Sequence, residues 1–218
     1  MNSKTNQIKN ILFDLGGVII NLDYQRTIDE FSALAGFNAN TIFTQEIQLQ
    51  VFDSFEKGEI NEKEFLNQLS SLLKITDTEK IINAWNAMLL DFPLNRIQLL
   101  EKVKKNYNTF LFSNTNSIHF TAFSKILFNT HKLNSLSPLF KKDYYSHTLG
   151  MRKPDPASFL FIIQEQKIIP SETIFIDDSF QHIQGAQTAG LKTIWLEQGL
   201  QITELFTEDG KLKNEIIE

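Results

Sequence analysis

Short apolar runs alternate along the chain with stretches whose apolar residues recur at helical spacing. Lys9 to Phe13 reads as a buried strand that stops at Asp14. Another apolar run spans Tyr107 to Phe112 and stops at Ser113; further runs span Thr173 to Ile176, stopping at Asp177, and Lys192 to Leu196. Polar or turn-forming residues bound each run, and each but the last precedes a helix-like stretch. Strands alternating with helices in this way predict an α/β fold, a parallel sheet with helices on its faces.

The long interval after the first strand breaks the alternation. Tyr24 to Ala35, Glu62 to Leu73 and Thr78 to Leu90 carry apolar residues at helical spacing, with no convincing strand between them. Asn61 followed by Glu64 resembles a helix-capping box, and Pro93 suits the first turn of a helix that returns the chain to the sheet. The expected organisation is therefore a Rossmann-like core from residues 1–19 and 93–218, with an all-helical insert at 20–92. The tail from Glu197 onward is mostly polar and is expected to form a loosely attached helix.

Composition narrows the function. The chain has 218 residues, 42% hydrophobic and 22% charged, as in an ordinary globular protein, and its 19 Phe read mainly as core filling. A net charge of −5 with no Lys/Arg-rich block argues against nucleic acid as a partner, because such binding needs a basic footprint. A small anion needs only a local positive pocket. The absence of cysteine excludes disulfides, zinc–thiolate sites and thiol catalysis. The polar N-terminus leads into a short apolar run, and no membrane-length apolar stretch follows, so a cytoplasmic location without a membrane partner is the expectation. Nothing in the pattern sets the oligomeric state.

In open parallel sheets, ligands bind at the carboxyl ends of the strands. Asp14, Ser113 with Asn114, and Asp177 with Asp178 all fall there, and Lys153 lies in the loop segment LGMRKPDP. Any one of them taken singly is an ordinary cap or turn residue. Together, a strand-end carboxylate, a strand-end hydroxyl, a lone Lys and a carboxylate pair make a set suited to phosphoryl transfer.

The segments FDLGGVI at 13–19, FSNTN at 112–116, GMRKPDP at 150–156 and IFIDDS at 174–179 resemble the haloacid dehalogenase-like hydrolase superfamily. The resemblance runs through essentially the whole chain, and the helical insert looks like the superfamily's small helical cap. It is nearest to the sugar-phosphate branch, the α-D-glucose-1-phosphate phosphatases. It implies a Mg²⁺-dependent phosphatase of small phosphate esters that works through an aspartyl-phosphate. Asp14 would be the nucleophile, splitting one difficult hydrolysis into two displacements. Gly16 and Gly17 would let the backbone turn tightly and expose the Gly16 carbonyl to the metal. Asp14, that carbonyl and Asp178 would ligate Mg²⁺, with Asp177 as a further ligand or an orienting group. Ser113 and the Asn114 backbone N–H would bind phosphate, and Lys153 would act on the transferring group and hold Asp14 ionised.

One position departs from that pattern. Most phosphatases of the superfamily place a second Asp two residues after the nucleophile as general acid and base, a role worth roughly 10²–10⁴-fold. Gly16 stands there in this chain. Asp23 is a candidate substitute, although it equally suits the cap of the helix that starts at Tyr24. A substrate with a good leaving group, such as an anomeric phosphate, would lessen the need for an acid.

Within the insert, FDSFEKGEI at 52–60 is broken by Gly58 and reads as a loop that dips into the site, with Phe55, Glu56 and Lys57 as substrate contacts, or else as a plain inter-helix turn. Trp85 reads as insert core. His119 fits either a place near the site or a surface helix position, and His131, His147 and His182 lack the spacing of a metal cluster. Three rival functions remain: a metal-free halide-displacing enzyme, a non-catalytic binding protein with this fold, and a phosphomutase. The paired Asp177 and Asp178 weigh against the first, and the intact nucleophile, Lys and carboxylate pair against the second. The third would normally want the Asp that position 16 lacks.

Overall fold

The computed structural model describes residues 7–44 and 49–213. Its first strand, β1 (Asn10–Phe13), is buried at every position, as a strand in the middle of a covered sheet must be. β2 (Asn108–Ser113) and β4 (Thr173–Asp177) pair with it in parallel on either side. The edges are β3 (Lys142–Tyr145), beside β2, and β5 (Lys192–Trp195), beside β4, which gives the order β3-β2-β1-β4-β5.

The two-residue period of the strands divides the core. Ile11, Phe13, Leu111, Ile174 and Ile176 join an apolar cluster with helices α5 (Leu94–Val103) and α6 (Ser117–His131). Leu12, Phe110, Phe112 and Phe175 join another on the opposite face, with α8 (Pro156–Gln166) and α9 (Phe180–Thr188). The short α7 (Ser146–Leu149) follows β3.

Between β1 and α5 lie α1 (Tyr24–Ala35), α2 (Gln50–Glu56), α3 (Glu62–Leu73) and α4 (Thr78–Asn86), which share a separate apolar cluster. Its centre is Trp85, 1% exposed, with ring centroids 4.9 Å from Phe43 and 5.0 Å from Phe52. Each fully buried aromatic side chain of this kind contributes about 1.5–3 kcal/mol. The expected capping box opens α3: Asn61 Oδ1 accepts from Glu64 N–H, and Glu64 Oε2 accepts from Asn61 N–H. The chain enters and leaves these helices through paired backbone. Leu22 and Leu89 form an antiparallel bridge, Leu90 N–H donates to Asn21 C=O, and Asp23 N–H donates to Met88 C=O.

Several expectations need correction. The edge strand β3 is absent from the sequence reading because KDYY is charged and only half buried. Helix α4 ends at Asn86 rather than Leu90, since residues 88–91 take part in the backbone pairing just described. Residues 50–56 are helical, so the segment read as a loop is a helix with a turn at Lys57 and Gly58. The described part of the tail, to Lys213, is not a loose helix. It forms a short 3₁₀ turn at Ile202–Leu205 and a bridge between Phe206 and Leu212, and Ile202, Leu205, Phe206 and Leu212 are buried in the core. Its apolar residues fall on either side of a tight turn at Gly210, which packs against the end of α5: a Cβ at Gly210 would lie 2.7 Å from the Lys102 carbonyl carbon. No helix among the described residues is long and apolar enough to cross a membrane.

Candidate active site

The parallel topology brings the carboxyl ends of β1, β2 and β4 side by side, and the polar residues that follow them meet there. Asp14 follows β1, Ser113 ends β2 and Asp177 ends β4. Lys153 enters from the loop before α8 and is fully buried. Its Nζ donates to Asp14 Oδ1 at 2.6 Å and to Asp177 Oδ2 at 2.8 Å. The ammonium also lies 5.4 Å from the Phe112 ring centroid and 5.3 Å from that of Phe175. A cation removed from water in this way persists only because two carboxylates replace its hydration.

The loops around Lys153 are held by a set of backbone contacts. The Asn114 amide donates to Lys153 C=O and accepts from Lys153 N–H, both at 2.9 Å. Ser146 Oγ clasps Thr115 through both its N–H and its C=O. Asn116 caps α6 by accepting from His119 N–H. Behind Lys153, α9 comes so close that a Cβ on Gly185 would sit 2.0 Å from the Pro154 carbonyl oxygen. The Asn114 side chain is thus a brace for the lysine loop.

The carboxylates form a cluster. One oxygen from each of Asp14, Asp177 and Asp178 lies within 4.8 Å of the others. Burial raises the Asp14 carboxyl to about 6 against the pull of Lys153. Burial, then repulsion from Asp14 and Asp177, raises Asp178 to about 8. Asp177 goes the other way: its burial penalty is overcome by Lys153 and His182, which hold it at about 2. Both of its oxygens are engaged, Oδ1 by Ser179 N–H at 2.7 Å and Oδ2 by Lys153, while His182 Nδ1 lies 3.0 Å from each. Three carboxylates around one ammonium leave excess negative charge in a buried place. A hard divalent cation with oxygen ligands fits that excess. Gly17 makes room for the Asp178 side chain: its φ is +68°, and a Cβ there would stand 2.3 Å from Asp178 Oδ2.

A cleft of about 100 Å³ lies above the cluster. Asp14, Gly16, Ser113, Asn114, Asp178 and His182 line its floor; Phe43, Trp85, Met88 and Leu89 of the helical insert line the apolar wall, with Tyr24, Glu56 and Arg152 beside them.

The site residues named from sequence divide accordingly. Asp14, Lys153, Asp177 and Asp178 converge, with Ser113 and Asn114 adjacent and Gly16 in the cleft floor. Asp23 sits elsewhere. Its Oδ1 accepts from Gln25 N–H as the α1 cap, its Oδ2 pairs with Arg26, and it does not line the cleft. Of the three insert contacts, Glu56 lines the cleft. Phe55 is instead buried and stacked on Phe65 with centroids 4.1 Å apart, and Lys57 pairs with Glu59 at 2.6 Å. His119 is buried rather than on a surface helix position. It stacks on Trp85, its Nε2 donates to Trp85 C=O at 3.0 Å, and burial lowers its imidazole to about 4.

Arg152, His182, Ser146 and Gly185 were missed as parts of the site. The first had a signal, since it abuts Lys153 in sequence; Ser146 and Gly185 had none, because each acts through a contact with a distant segment, and His182 acts through Asp177, five residues before it, across the turn from β4 into α9.

A family model for haloacid dehalogenase-like hydrolases matches residues 8–190. The D-ribitol-5-phosphate phosphatase of Bacteroides thetaiotaomicron is 32% identical over 193 residues, 88% of this chain and 93% of that protein. A HAD family enzyme from the same organism, crystallised as an Asp-to-Ala variant with magnesium and inorganic phosphate, superposes with a TM-score of 0.85 at 34% identity, covering 92% of this chain and all of that one. A HAD-like family hydrolase from Porphyromonas gingivalis gives a TM-score of 0.78 at 27% identity, covering 88% of this chain and 93% of that one.

Proposed function

We propose that this chain, which belongs to the haloacid dehalogenase-like hydrolases, is a Mg²⁺-dependent phosphoric monoester hydrolase that cleaves small phosphorylated metabolites of the sugar-phosphate class through an aspartyl-phosphate on Asp14. The observation that carries this reading is the buried Lys153 ammonium, bonded at once to Asp14 and Asp177, beside a third carboxylate at the floor of an open cleft. The phosphatase relative and the magnesium and phosphate bound by the structural neighbour support it.

In the first displacement an Asp14 oxygen bonds to phosphorus while the bond from phosphorus to the alcohol oxygen breaks, and that oxygen takes up a proton. In the second, water bonds to phosphorus, gives up a proton, and the bond to Asp14 breaks. Inorganic phosphate leaves and the carboxylate is restored. Lys153 fixes the attacking carboxylate and balances charge on the transferring group, and Asp177 holds Lys153. Ser113 Oγ and the Asn114 N–H would donate to phosphate oxygens from the cleft floor. Asp14, Asp178 and the Gly16 carbonyl would hold Mg²⁺, with Asp177 orienting the set. When bound, the ion supplies positive charge that offsets repulsion between the carboxylate and the phosphate. Asp23 has no part in this scheme, since its carboxylate caps α1.

The test is phosphate release from a panel of sugar and polyol phosphates, with Mg²⁺ and with EDTA, by wild type and Asp14→Asn. Turnover that needs both Mg²⁺ and Asp14 is expected. Turnover that survives Asp14→Asn at the wild-type rate would overturn the mechanism, and EDTA-resistant release of halide from a haloacid would favour the dehalogenase reading.

A further inference from the structure

The cleft wall beyond the phosphate floor is built around one ionic cluster. Arg152, from the segment that also carries Lys153, reaches across to α2. Its Nη1 lies 2.7 Å from Asp53 Oδ1 and its Nη2 lies 2.9 Å from Glu56 Oε2. Among the described residues, one guanidinium faces two carboxylates, an excess of one negative charge. Arg152 and Glu56 line the cleft, with side chains 21% and 13% exposed.

The position of Glu56 is fixed from its other side as well. The turn after α2 runs through Gly58, whose φ is +66°, and a Cβ there would lie 2.3 Å from the His147 carbonyl oxygen. The end of α2 therefore rests directly on the backbone of α7, and Glu56 is held between that seat and Arg152.

Among the described residues, the remaining ionisable groups on the cleft wall offer no counter-charge to a second anion. Asp14 and Asp178 are acidic, and His182 leans on Asp177. Burial keeps the His119 imidazole and the Tyr24 phenol neutral near pH 7. Lys153 is taken by its two carboxylates.

We infer that Glu56, positioned by Arg152, selects an uncharged hydroxylated leaving group and rejects one that carries a carboxylate. This rests on the phosphatase reading above. A hydroxyl beyond the ester can donate to the Glu56 carboxylate, while the carbon chain lies along Trp85 and Met88. A carboxylate in that place would face Glu56 as a like charge, and Arg152 is already neutralised by the two acids on α2.

The experiment compares matched esters that differ only in CH₂OH against COO⁻: glycerol 3-phosphate with 3-phosphoglycerate, and erythritol 4-phosphate with 4-phosphoerythronate. With Mg²⁺, wild type should favour the alcohol of each pair by at least ~10-fold in kcat/KM, the discrimination expected of one like-charge contact in a partly exposed site. Glu56→Gln should compress that ratio toward one. Because the readout is a ratio of two kcat/KM values on one preparation, a partly unfolded variant does not distort it. Equal wild-type rates within each pair, or an unchanged ratio in Glu56→Gln, would overturn the inference. If p-nitrophenyl phosphate is hydrolysed with Mg²⁺ and Asp14 while the ratios stand at one, this selection is wrong and the phosphatase reading survives. If no ester shows Asp14-dependent turnover, both fall.

Discussion

Replacing Lys153 with Met keeps most of the unbranched apolar stem, one atom shorter, and removes the charge. In the folded protein that charge sits 2.6 Å from Asp14 Oδ1 and 2.8 Å from Asp177 Oδ2, with none of the side chain exposed. At an effective dielectric of about 20, each such pair is worth roughly 6 kcal/mol of attraction before desolvation is subtracted. Removing one partner of a buried pair is measured to cost about 3–5 kcal/mol, because the remaining charges stay buried without compensation. That is a large part of a typical folding stability of about 5–15 kcal/mol. Lys153→Met should therefore lose about 3–5 kcal/mol in urea unfolding at pH 7 in EDTA, followed by the fluorescence of Trp85 and Trp195. The loss should shrink at pH 5, because Asp14, already raised to about 6 with Lys153 present, protonates more readily without it. Added Mg²⁺ should recover part of the loss by replacing the missing charge. A loss below about 1 kcal/mol at pH 7, or one independent of pH between 5 and 8, would refute the account of Lys153 as the counter-ion of a buried carboxylate cluster.

The same cluster sets a pH dependence for the wild type. Asp14 and Asp178 have folded-state values of about 6 and about 8, above the ordinary 3.8, so the stability they contribute is complete below pH 3.8 and is lost as pH rises through 6 and 8. Asp177, held at about 2, acts oppositely: its contribution is present above 3.8 and is lost as pH falls toward 2. The increase in Tm given by Mg²⁺ over EDTA should accordingly grow from pH 5 to pH 8, and an equal increase at both would refute this. Gly17→Ala places a Cβ 2.3 Å from Asp178 Oδ2 at a φ of +68°. It should raise the Mg²⁺ concentration for half-maximal activity about 10-fold or more. Gly36→Ala, at a φ of +72° with nothing within 4 Å, bears the same backbone cost, about 1–2 kcal/mol, and should leave that concentration alone. Asp23→Asn retains a good helix cap and should keep kcat within about twofold, whereas a loss of ~10²-fold or more would return Asp23 to the chemistry.

How much of this was legible depended on whether the signal was local. β1, β2 and β4 are apolar runs closed by a polar residue, and both properties are visible in the sequence. The topology then brings Asp14, Ser113 and Asp177 to one edge, because parallel strands share a direction. β3 escaped because an edge strand half open to water needs no apolar run. The tail was misjudged for a related reason. Ile202, Leu205, Phe206 and Leu212 fit no helical or strand period, and what unites them is a turn at Gly210 packed on the end of α5. His182 gave no local sign at all. It matters because α9 places its Nδ1 3.0 Å from Asp177, a contact between a strand end and a helix that spacing alone does not encode.

Position 16 shows the limit most clearly. The sequence reveals that a carboxylate is absent there and not what takes its place. A Cβ at Gly16 would lie 2.6 Å from Leu22 Cδ1 and 4.0 Å from Asp14 Oδ2. Leu22 belongs to the backbone pairing with Leu89 through which the chain enters and leaves the helical insert. A side chain at 16 would thus have to displace a residue of that junction, and the junction leads to the insert that walls the cleft. An apolar residue lies over the ground where the superfamily's acid would stand, and it does so as part of the seat of the insert. Under the mechanism proposed above, leaving-group departure then rests on the substrate's own leaving group.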